Sequence, residues 1–154
     1  MRIAVLADTH VHRLEHLPRK VIDALSDADL IIHAGDFTDI QLLTDLRRLK
    51  EVKAVHGNMD SGQLKSVLPT KEIVETNDKR IGIIHGSGAP WGIEERVKKL
   101  FESDRIDIIV YGHSHRSQNK LINNILFFNP GKTADSFGII TIDGEAKGEI
   151  ISSR

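Results

Sequence analysis

Carboxylate and imidazole side chains recur in this sequence at short, regular spacings. His10 follows Asp8 by two residues, and His113 and His115 also stand two residues apart. Side chains at such a spacing in a loop can point to the same side and chelate one cation. An isolated pair of this kind is more often an ordinary solvated turn. The pairs therefore indicate a metal-binding centre only if further ligands join them.

Further potential ligands each stand beside a glycine, which permits close approach of the backbone. They are Asp36 after Gly35, Asn58 after Gly57, and His85 before Gly86. The sequence contains no cysteine, so it excludes thiolate sites, disulfides and a cysteine nucleophile. Mixed carboxylate, amide and imidazole ligands suit manganese, iron, zinc, nickel or cobalt better than calcium.

Every one of these ligand groups follows a short apolar run typical of a buried strand. The runs occupy residues 3–7, 30–34, 52–56, 80–84 and 106–111. Because polar residues at the carboxyl ends of strands of one open sheet converge on one crevice, we expect the ligand groups to meet in space. If these residues belonged to unrelated surface turns, we would not expect all of them to stand at the ends of predicted strands.

Amphipathic helical patterns lie between several of these strands. One apolar face comprises Leu14, Leu17, Val21, Ile22 and Leu25, and a second comprises Leu42, Leu43, Leu46 and Leu49. Thr38 or Asp39 could cap the second helix, and a third is predicted to begin near Pro90. Trp91 is expected to pack at the start of that third helix, whereas His33 and His56 are expected to pack locally within their strands.

Later segments predict short strands joined by hairpin turns. The candidate turns are Asn77-Asp78, Asn123-Asn124 and Asp143-Gly144. A parallel core followed by hairpins predicts two sheets packed face to face with helices outside. At 154 residues, the sequence predicts one domain spanning 1–154.

Charge and hydropathy exclude several function classes. The 21 basic and 22 acidic side chains nearly cancel and form no long block, which argues against a nucleic-acid arm or a polybasic membrane anchor. No stretch approaches the roughly 18 apolar residues of a membrane span, and the first apolar run is too short for a signal peptide. We therefore expect a cytoplasmic protein with no membrane partner.

The ordered set Asp-x-His, Gly-Asp, Gly-Asn, His-Gly and Gly-His-x-His resembles the calcineurin-like metallophosphoesterase superfamily. In size the chain is similar to the small YfcE-like bacterial and archaeal members, and the resemblance spans residues 3–131, including an Asn-Pro-Gly turn at 129–131. It implies an α/β fold, a four-layer α/β/β/α sandwich of two mixed sheets flanked by helices. It also implies two divalent metal ions: one bound by Asp8, His10 and His115, one bound by Asn58, His85 and His113, with Asp36 bridging.

The resemblance implies a metal-dependent phosphodiesterase or phosphatase. Two divalent ions roughly 3.5 to 4 Å apart can orient a phosphate ester for in-line attack by a bridging hydroxide, so no side-chain nucleophile is required. Manganese is the first expectation, with nickel, cobalt, iron and zinc left open. Asp36 and Asn58 are expected to serve catalysis as well as metal binding, and His12 is close enough in sequence to the first motif to contact substrate.

A small-molecule phosphate ester is the expected substrate. Cyclic nucleotides, nucleic-acid ends, phosphodiester metabolites and phosphoproteins are not distinguished, and nucleic acid is expected only as a substrate. The sequence also leaves a homo-oligomer open.

One position departs from the family pattern. Many members carry a histidine after Gly-Asn that contacts substrate and helps to protonate the leaving group, whereas this chain has Met59. A thioether donates no proton, so general acid assistance worth roughly 100-fold to 10,000-fold is absent at this position. Asp39 matches the carboxylate that would orient such a histidine and is expected to lack its partner. We expect modest activity with a preference for good leaving groups.

Two other functions compete with hydrolysis. Met59 motivates a weakly active or non-catalytic protein-binding scaffold that retains the fold, as the retromer subunit of the superfamily does. A doubly wound nucleotide-binding protein is disfavoured, because Asp8-Thr9-His10 stands where a glycine-rich phosphate loop should begin.

Overall fold

The computed structural model describes all 154 residues. Its strands are β1 (Arg2–Leu6), β2 (Leu30–His33), β3 (Val52–Ala54), β4 (Lys71–Thr76), β5 (Lys79–Ile84), β6 (Ile108–Val110), β7 (Gln118–Ile122), β8 (Ile125–Asn129), β9 (Ser136–Asp143) and β10 (Glu145–Ser152). The α-helices are α1 (Arg19–Asp27), α2 (Ile40–Leu49), α3 (Gly62–Val67) and α4 (Ile93–Leu100).

Two mixed sheets of five strands each contain all of these strands. The first sheet has the order β10-β9-β1-β2-β3, in which β1, β2 and β3 are parallel. The second has the order β4-β5-β6-β8-β7, in which β5, β6 and β8 are parallel. Antiparallel strands flank each parallel core, so both sheets are mixed, as the family resemblance implies.

Three apolar clusters separate four layers. The central cluster joins the facing sides of the two sheets, with Val5 and Ile32 from the first and Ile83 and Val110 from the second. A second cluster packs the first sheet against α1, α2 and α3, and a third packs the second sheet against α4. The predicted α/β/β/α sandwich is therefore confirmed.

The helices differ in detail from their predictions. The first apolar face is split: Leu14–His16 forms a 3₁₀ turn, and α1 begins only after Pro18. The side chain of Asp39 caps α2 by accepting the backbone N–H of Gln41 at 2.8 Å, as one of the two predicted caps. The third predicted helix begins at Ile93 rather than near Pro90, and α3 was not predicted because its six residues give too short a periodic pattern. No helix is both long enough and apolar enough to span a bilayer.

All three predicted hairpins form, but only the first two have the predicted two-residue turn: Asp143 ends β9, so Gly144 alone lies between β9 and β10. Asn77, Asp78, Asn123 and Asn124 all have positive φ, between 48° and 64°. Two successive residues of positive φ match the twist of the strands that they join, and asparagine and aspartate tolerate this conformation. These turns fix the register of β4 with β5 and of β7 with β8.

The potential ligands follow strands of both sheets, so the expectation that they follow strands of one sheet was wrong. Three groups follow β1, β2 and β3, and two follow β5 and β6. They still meet because the carboxyl ends of both parallel cores lie at the same edge of the sandwich: the backbone N–H of Gly112 donates to the carbonyl of His85, and that of His113 donates to the Asp8 carboxylate at 3.1 Å.

Candidate metal centre

The backbone takes a left-handed conformation at most of the predicted ligands. Asp8, His10, Asp36, His113 and His115 have φ values of 50°, 49°, 62°, 67° and 59°. Non-glycine residues rarely adopt positive φ, and each instance costs on the order of 1 to 3 kcal/mol. Such strain concentrates where a site needs side chains that a regular strand or helix would point elsewhere.

One group of ligand atoms surrounds the carboxylate of Asp8. The ligand atoms of Asp8, His10 and His115 all lie within 4.8 Å of one another, and so do those of Asp8, Asp36 and His85. Asp8 belongs to both sets and is completely buried. The structure thus places Asp36 next to the group that the resemblance assigns to the first metal.

A second group surrounds the amide of Asn58. Its Oδ1 lies 3.1 Å from Nε2 of His85 and 3.3 Å from Nδ1 of His113. Nε2 of His85 also lies 3.3 Å from Oδ2 of Asp36. Asp36 therefore stands between the two groups, where a bridging ligand would have to be.

Hydrogen bonds select the imidazole nitrogen that faces the centre. Nδ1 of His85 donates to the carbonyl of Ala34 at 2.7 Å, which leaves Nε2 facing Asn58. Nε2 of His113 donates to the carbonyl of Gly88 at 2.9 Å, which leaves Nδ1 facing Asn58. A carbonyl partner of this kind fixes the tautomer and ring orientation of a metal-ligating histidine.

The electrostatics of the centre fit a bound cation. Oδ1 of Asp8 is buried without a hydrogen-bond partner, and burial raises the pKa of Asp8 to about 6. Burial acts to lower the pKa of His85, but the hydrogen bond and charge of Asp36 outweigh it and the pKa is raised. The same interaction with His85 lowers the pKa of Asp36 despite burial. A divalent cation would satisfy the orphaned oxygen and compensate the buried carboxylates.

Asp39 has a histidine partner, contrary to expectation. Its Oδ2 lies 3.0 Å from Nδ1 of His12, and a β-bridge between Val11 and Thr38 holds the two segments together. The carboxylate that would orient a histidine at position 59 therefore orients His12 instead. His12 is mostly exposed, beside the motif of Asp8 and His10.

The buried carboxylate of Asp60 was missed by sequence reasoning. It accepts the backbone N–H groups of Asp36 at 3.0 Å, Thr38 at 2.8 Å and Gly57 at 2.8 Å. Asp60 thus ties the loop after β2 to the loop after β3 and sets the distance between Asp36 and Asn58. The signal available in the sequence was its position two residues after Asn58, where the family motif also carries an aspartate or glutamate.

His33 packs locally, as expected, and also connects two ligand loops. Its ring stacks on Phe37 with centroids 3.5 Å apart. Nδ1 accepts the N–H of Gly35 at 3.1 Å, so Nε2 carries the proton and donates to the Thr9 hydroxyl at 3.0 Å. Burial, with the nearby charge of His85, lowers the pKa of His33 to about 3, so the ring stays neutral.

Asn129, the last residue of β8, anchors the loop of the histidine pair that follows the neighbouring parallel strand β6. Its side-chain N–H₂ donates to the carbonyl of Gly112 and to the Ser114 hydroxyl, both at 3.0 Å, and its oxygen accepts the N–H of Gly131. The Asn-Pro-Gly turn thereby holds the loop that carries His113 and His115.

Trp91 does not pack at the start of a helix, so that prediction was wrong. Its side chain is 77% exposed, because α4 begins two residues later and buries Ile93 in that place. His56 does not pack within its strand as expected: it follows β3, and its Nε2 lies 3.2 Å from the hydroxyl of Thr70, just before β4.

Comparison with known families identifies one match over most of the chain. The family model for the calcineurin-like phosphoesterase superfamily domain matches residues 1–142. A probable metallophosphoesterase of Methanocaldococcus jannaschii is 42% identical over 133 residues, which cover 85% of this chain and 67% of that protein. A phosphodiesterase of the same organism is 28% identical over 148 residues, covering 86% and 84%.

Two solved structures are similar to this chain over nearly its whole length. A protein of Thermotoga maritima is 31% identical with a TM-score of 0.78, over 98% of both chains. Vps29 of Entamoeba histolytica, in complex with Zn²⁺, is 26% identical with a TM-score of 0.77, over 100% of both chains. This chain is thus similar both to phosphoesterases and to Vps29.

Proposed function

The chain belongs to the calcineurin-like phosphoesterase superfamily, and from that premise we propose that it is a dinuclear metal-dependent phosphodiesterase. Divalent metals are the cofactors of such a centre, and phosphate esters are the substrates of the family. A relative named as a phosphodiesterase supports the choice of diesters.

The observation that carries the proposal is the position of Asp36. Its carboxylate lies between a group made by Asp8, His10 and His115 and a group made by Asn58, His85 and His113. Each group offers three side-chain ligands, and the buried Asp36 carboxylate would bind both metals. The orphaned Oδ1 of Asp8 faces the same space.

The metals and the surrounding side chains would have separate roles in hydrolysis. Two bound metals would activate a water molecule and offset the charge of the phosphate oxygens. Asp36 would hold the two ligand groups at a fixed distance, and Asn58, whose Oδ1 faces His85 and His113, would donate its side-chain N–H₂ to the phosphate. His12, oriented by Asp39, would hydrogen-bond the substrate from the exposed side.

A metal-reconstitution assay tests the proposal. Protein stripped with a chelator should hydrolyse bis-p-nitrophenyl phosphate only after a divalent metal is added, with manganese tested first and nickel, cobalt, iron and zinc compared in parallel. We expect activity to saturate at two metal ions per chain, measured by elemental analysis. Absence of metal-dependent turnover with two metals bound would overturn the proposal.

His12 should contribute to substrate turnover and not to metal binding. We expect His12→Asn to lower kcat/KM by roughly 10-fold to 100-fold, the value of one hydrogen bond to a charged group. Asp39→Asn should have little further effect in the same chain, because both changes remove one contact and asparagine still caps α2. His16→Asn, on the surface, is the matched control, and additive losses in the double variant would contradict this role.

Metal affinity should fall in acid. Because the pKa of Asp8 is about 6 without metal, this carboxyl is protonated below pH 6 and a metal must displace its proton. The raised pKa of His85 acts in the same direction. Below that pH, the affinity for manganese should fall by roughly 10-fold per pH unit for each displaced proton. Calorimetric titration of stripped protein would measure this, and an affinity that stays constant below pH 6 would contradict it.

A protein-binding scaffold is the second candidate. It is favoured by the similarity to Vps29 and by Met59, which removes a proton donor. A scaffold would bind metals at the same centre but hydrolyse no ester. The reconstitution assay separates the two functions, because only the scaffold predicts full metal occupancy without turnover.

A further inference from the structure

Two large apolar side chains are exposed on the loops of the second ligand group. Met59 directly follows Asn58 and is 61% exposed, and Trp91 lies in the loop after His85 and is 77% exposed. Single exposed apolar residues are common on protein surfaces. Both of these residues lie on loops that carry ligands of the second group, and neither side chain is covered by the rest of the chain.

The loop of Trp91 is held in place. The guanidinium of Arg96 donates to the backbone carbonyls of Ser87, Ala89 and Trp91. The carbonyl of Gly88 in the same loop accepts from Nε2 of His113 at 2.9 Å. Three residues span at most roughly 10 Å, so Trp91 lies close to a predicted ligand on a constrained loop.

Met59 lies on the loop after β3, and its backbone is held beside a predicted ligand. Its backbone N–H donates to Oδ1 of Asp36 at 2.8 Å, while the thioether remains exposed. Nζ of Lys65 lies 3.4 Å from the carbonyl of Asn58 and places a positive charge nearby. The surroundings of the second ligand group thus combine one cation with two apolar side chains.

We propose that Trp91 and Met59 bind the nucleobase of a nucleotide phosphodiester whose phosphate lies at the metal centre. This inference rests on the proposed function and specifies its substrate class. Indole presents a flat face on which a base can stack, and methionine makes favourable contacts with aromatic rings. A nucleotide combines an anionic phosphate with a flat aromatic group, which matches the charge of Lys65 and the apolar pair.

Intrinsic fluorescence reports directly on this contact, because Trp91 is the only tryptophan in the chain. Manganese-loaded protein would be titrated with thymidine 5′-monophosphate, and separately with ribose 5-phosphate and inorganic phosphate. We expect saturable quenching with the nucleotide alone. Equal responses to thymidine 5′-monophosphate and ribose 5-phosphate, or no response to either, would overturn the inference.

Kinetics with two diesters of the same leaving group provide the second test. The wild-type protein should prefer thymidine 5′-(p-nitrophenyl) phosphate over methyl p-nitrophenyl phosphate by kcat/KM. Trp91→Ala should reduce that preference by about 10-fold, the effect of losing one base–aromatic stack, whereas Trp91→Phe should retain most of it. Met59→Ala should reduce it less. Leu121→Ala, an exposed apolar residue on β7, is the control and should leave the ratio unchanged.

Different results would contradict nucleobase binding and the proposed phosphodiesterase activity. Hydrolysis of both esters with no preference in the wild type, or an unchanged preference in Trp91→Ala, would overturn nucleobase binding and leave phosphodiesterase activity intact. Hydrolysis of neither ester by the metal-loaded protein would overturn the proposed function itself.

Discussion

Asp36→Asn should abolish metal-dependent hydrolysis, with a loss of more than about 100-fold in kcat, beyond the 10-fold to 100-fold typical of a residue that only supports a ligand. Asp36 is buried between the two ligand groups, with Oδ2 3.3 Å from Nε2 of His85. The substitution keeps the shape of the side chain but removes its negative charge and one oxygen. Metal content should fall below two ions per chain, which elemental analysis would measure beside the assay with bis-p-nitrophenyl phosphate.

The matched control for this change is Asp23→Asn. Asp23 is an exposed carboxylate on α1 that pairs with Arg19 four residues earlier, so its replacement should alter stability by less than about 1 kcal/mol and leave activity unchanged. If Asp36→Asn retained two metals and more than about a tenth of the wild-type rate, Asp36 would not bridge a catalytic metal pair.

Asp60→Ala should be the most destabilising single change near the centre. It would leave three backbone N–H groups without their acceptor, those of Asp36, Thr38 and Gly57. Each unsatisfied buried donor costs on the order of 1 to 3 kcal/mol, so the free energy of unfolding should fall by about 3 kcal/mol or more. Urea unfolding of the metal-stripped protein would measure this loss separately from metal binding.

Asp60→Asn provides a graded comparison. Oδ2 of Asp60 accepts two of the N–H groups and Oδ1 accepts the third, so one amide oxygen could still serve two of them. The loss should therefore be intermediate, with weaker metal binding because the loops of Asp36 and Asn58 are no longer tied together. Asp23→Ala should change stability little, and a loss below about 1 kcal/mol for Asp60→Ala would contradict this role.

Strand ends could be predicted because the buried strands of this fold are continuous apolar runs. Such a run stops where the chain reaches solvent, so the polar residues after β1, β2, β3, β5 and β6 were recognisable from the sequence. Hairpin turns could also be predicted from the local sequence, because residues such as Asn123 and Asn124 accept positive φ more readily than others. The binding of metal by the clustered residues remains a prediction.

The hydrogen-bond partner of a side chain, unlike a strand end or a turn, could not be predicted from a local sequence pattern. Asp39 faces His12 because a bridge between Val11 and Thr38 aligns two loops that are 27 positions apart in the chain. Asp60 likewise serves three N–H groups that no local pattern identifies. The carboxylate of Asp39 and the imidazole of His12 are both recognisable in the sequence, but their pairing is not.

The sequence by itself determined which residue types stand at the strand ends, and hence a centre of oxygen and imidazole ligands. Tertiary structure alone decided that the ligands of two different sheets meet around Asp36, which ring nitrogen of His85 and His113 faces inward, and that Trp91 is exposed. The reason is physical. Hydrophobic periodicity and turn preference act between residues close in sequence, whereas the facing of two sheets and the hydrogen bonds across their common edge depend on contacts between residues distant in the chain.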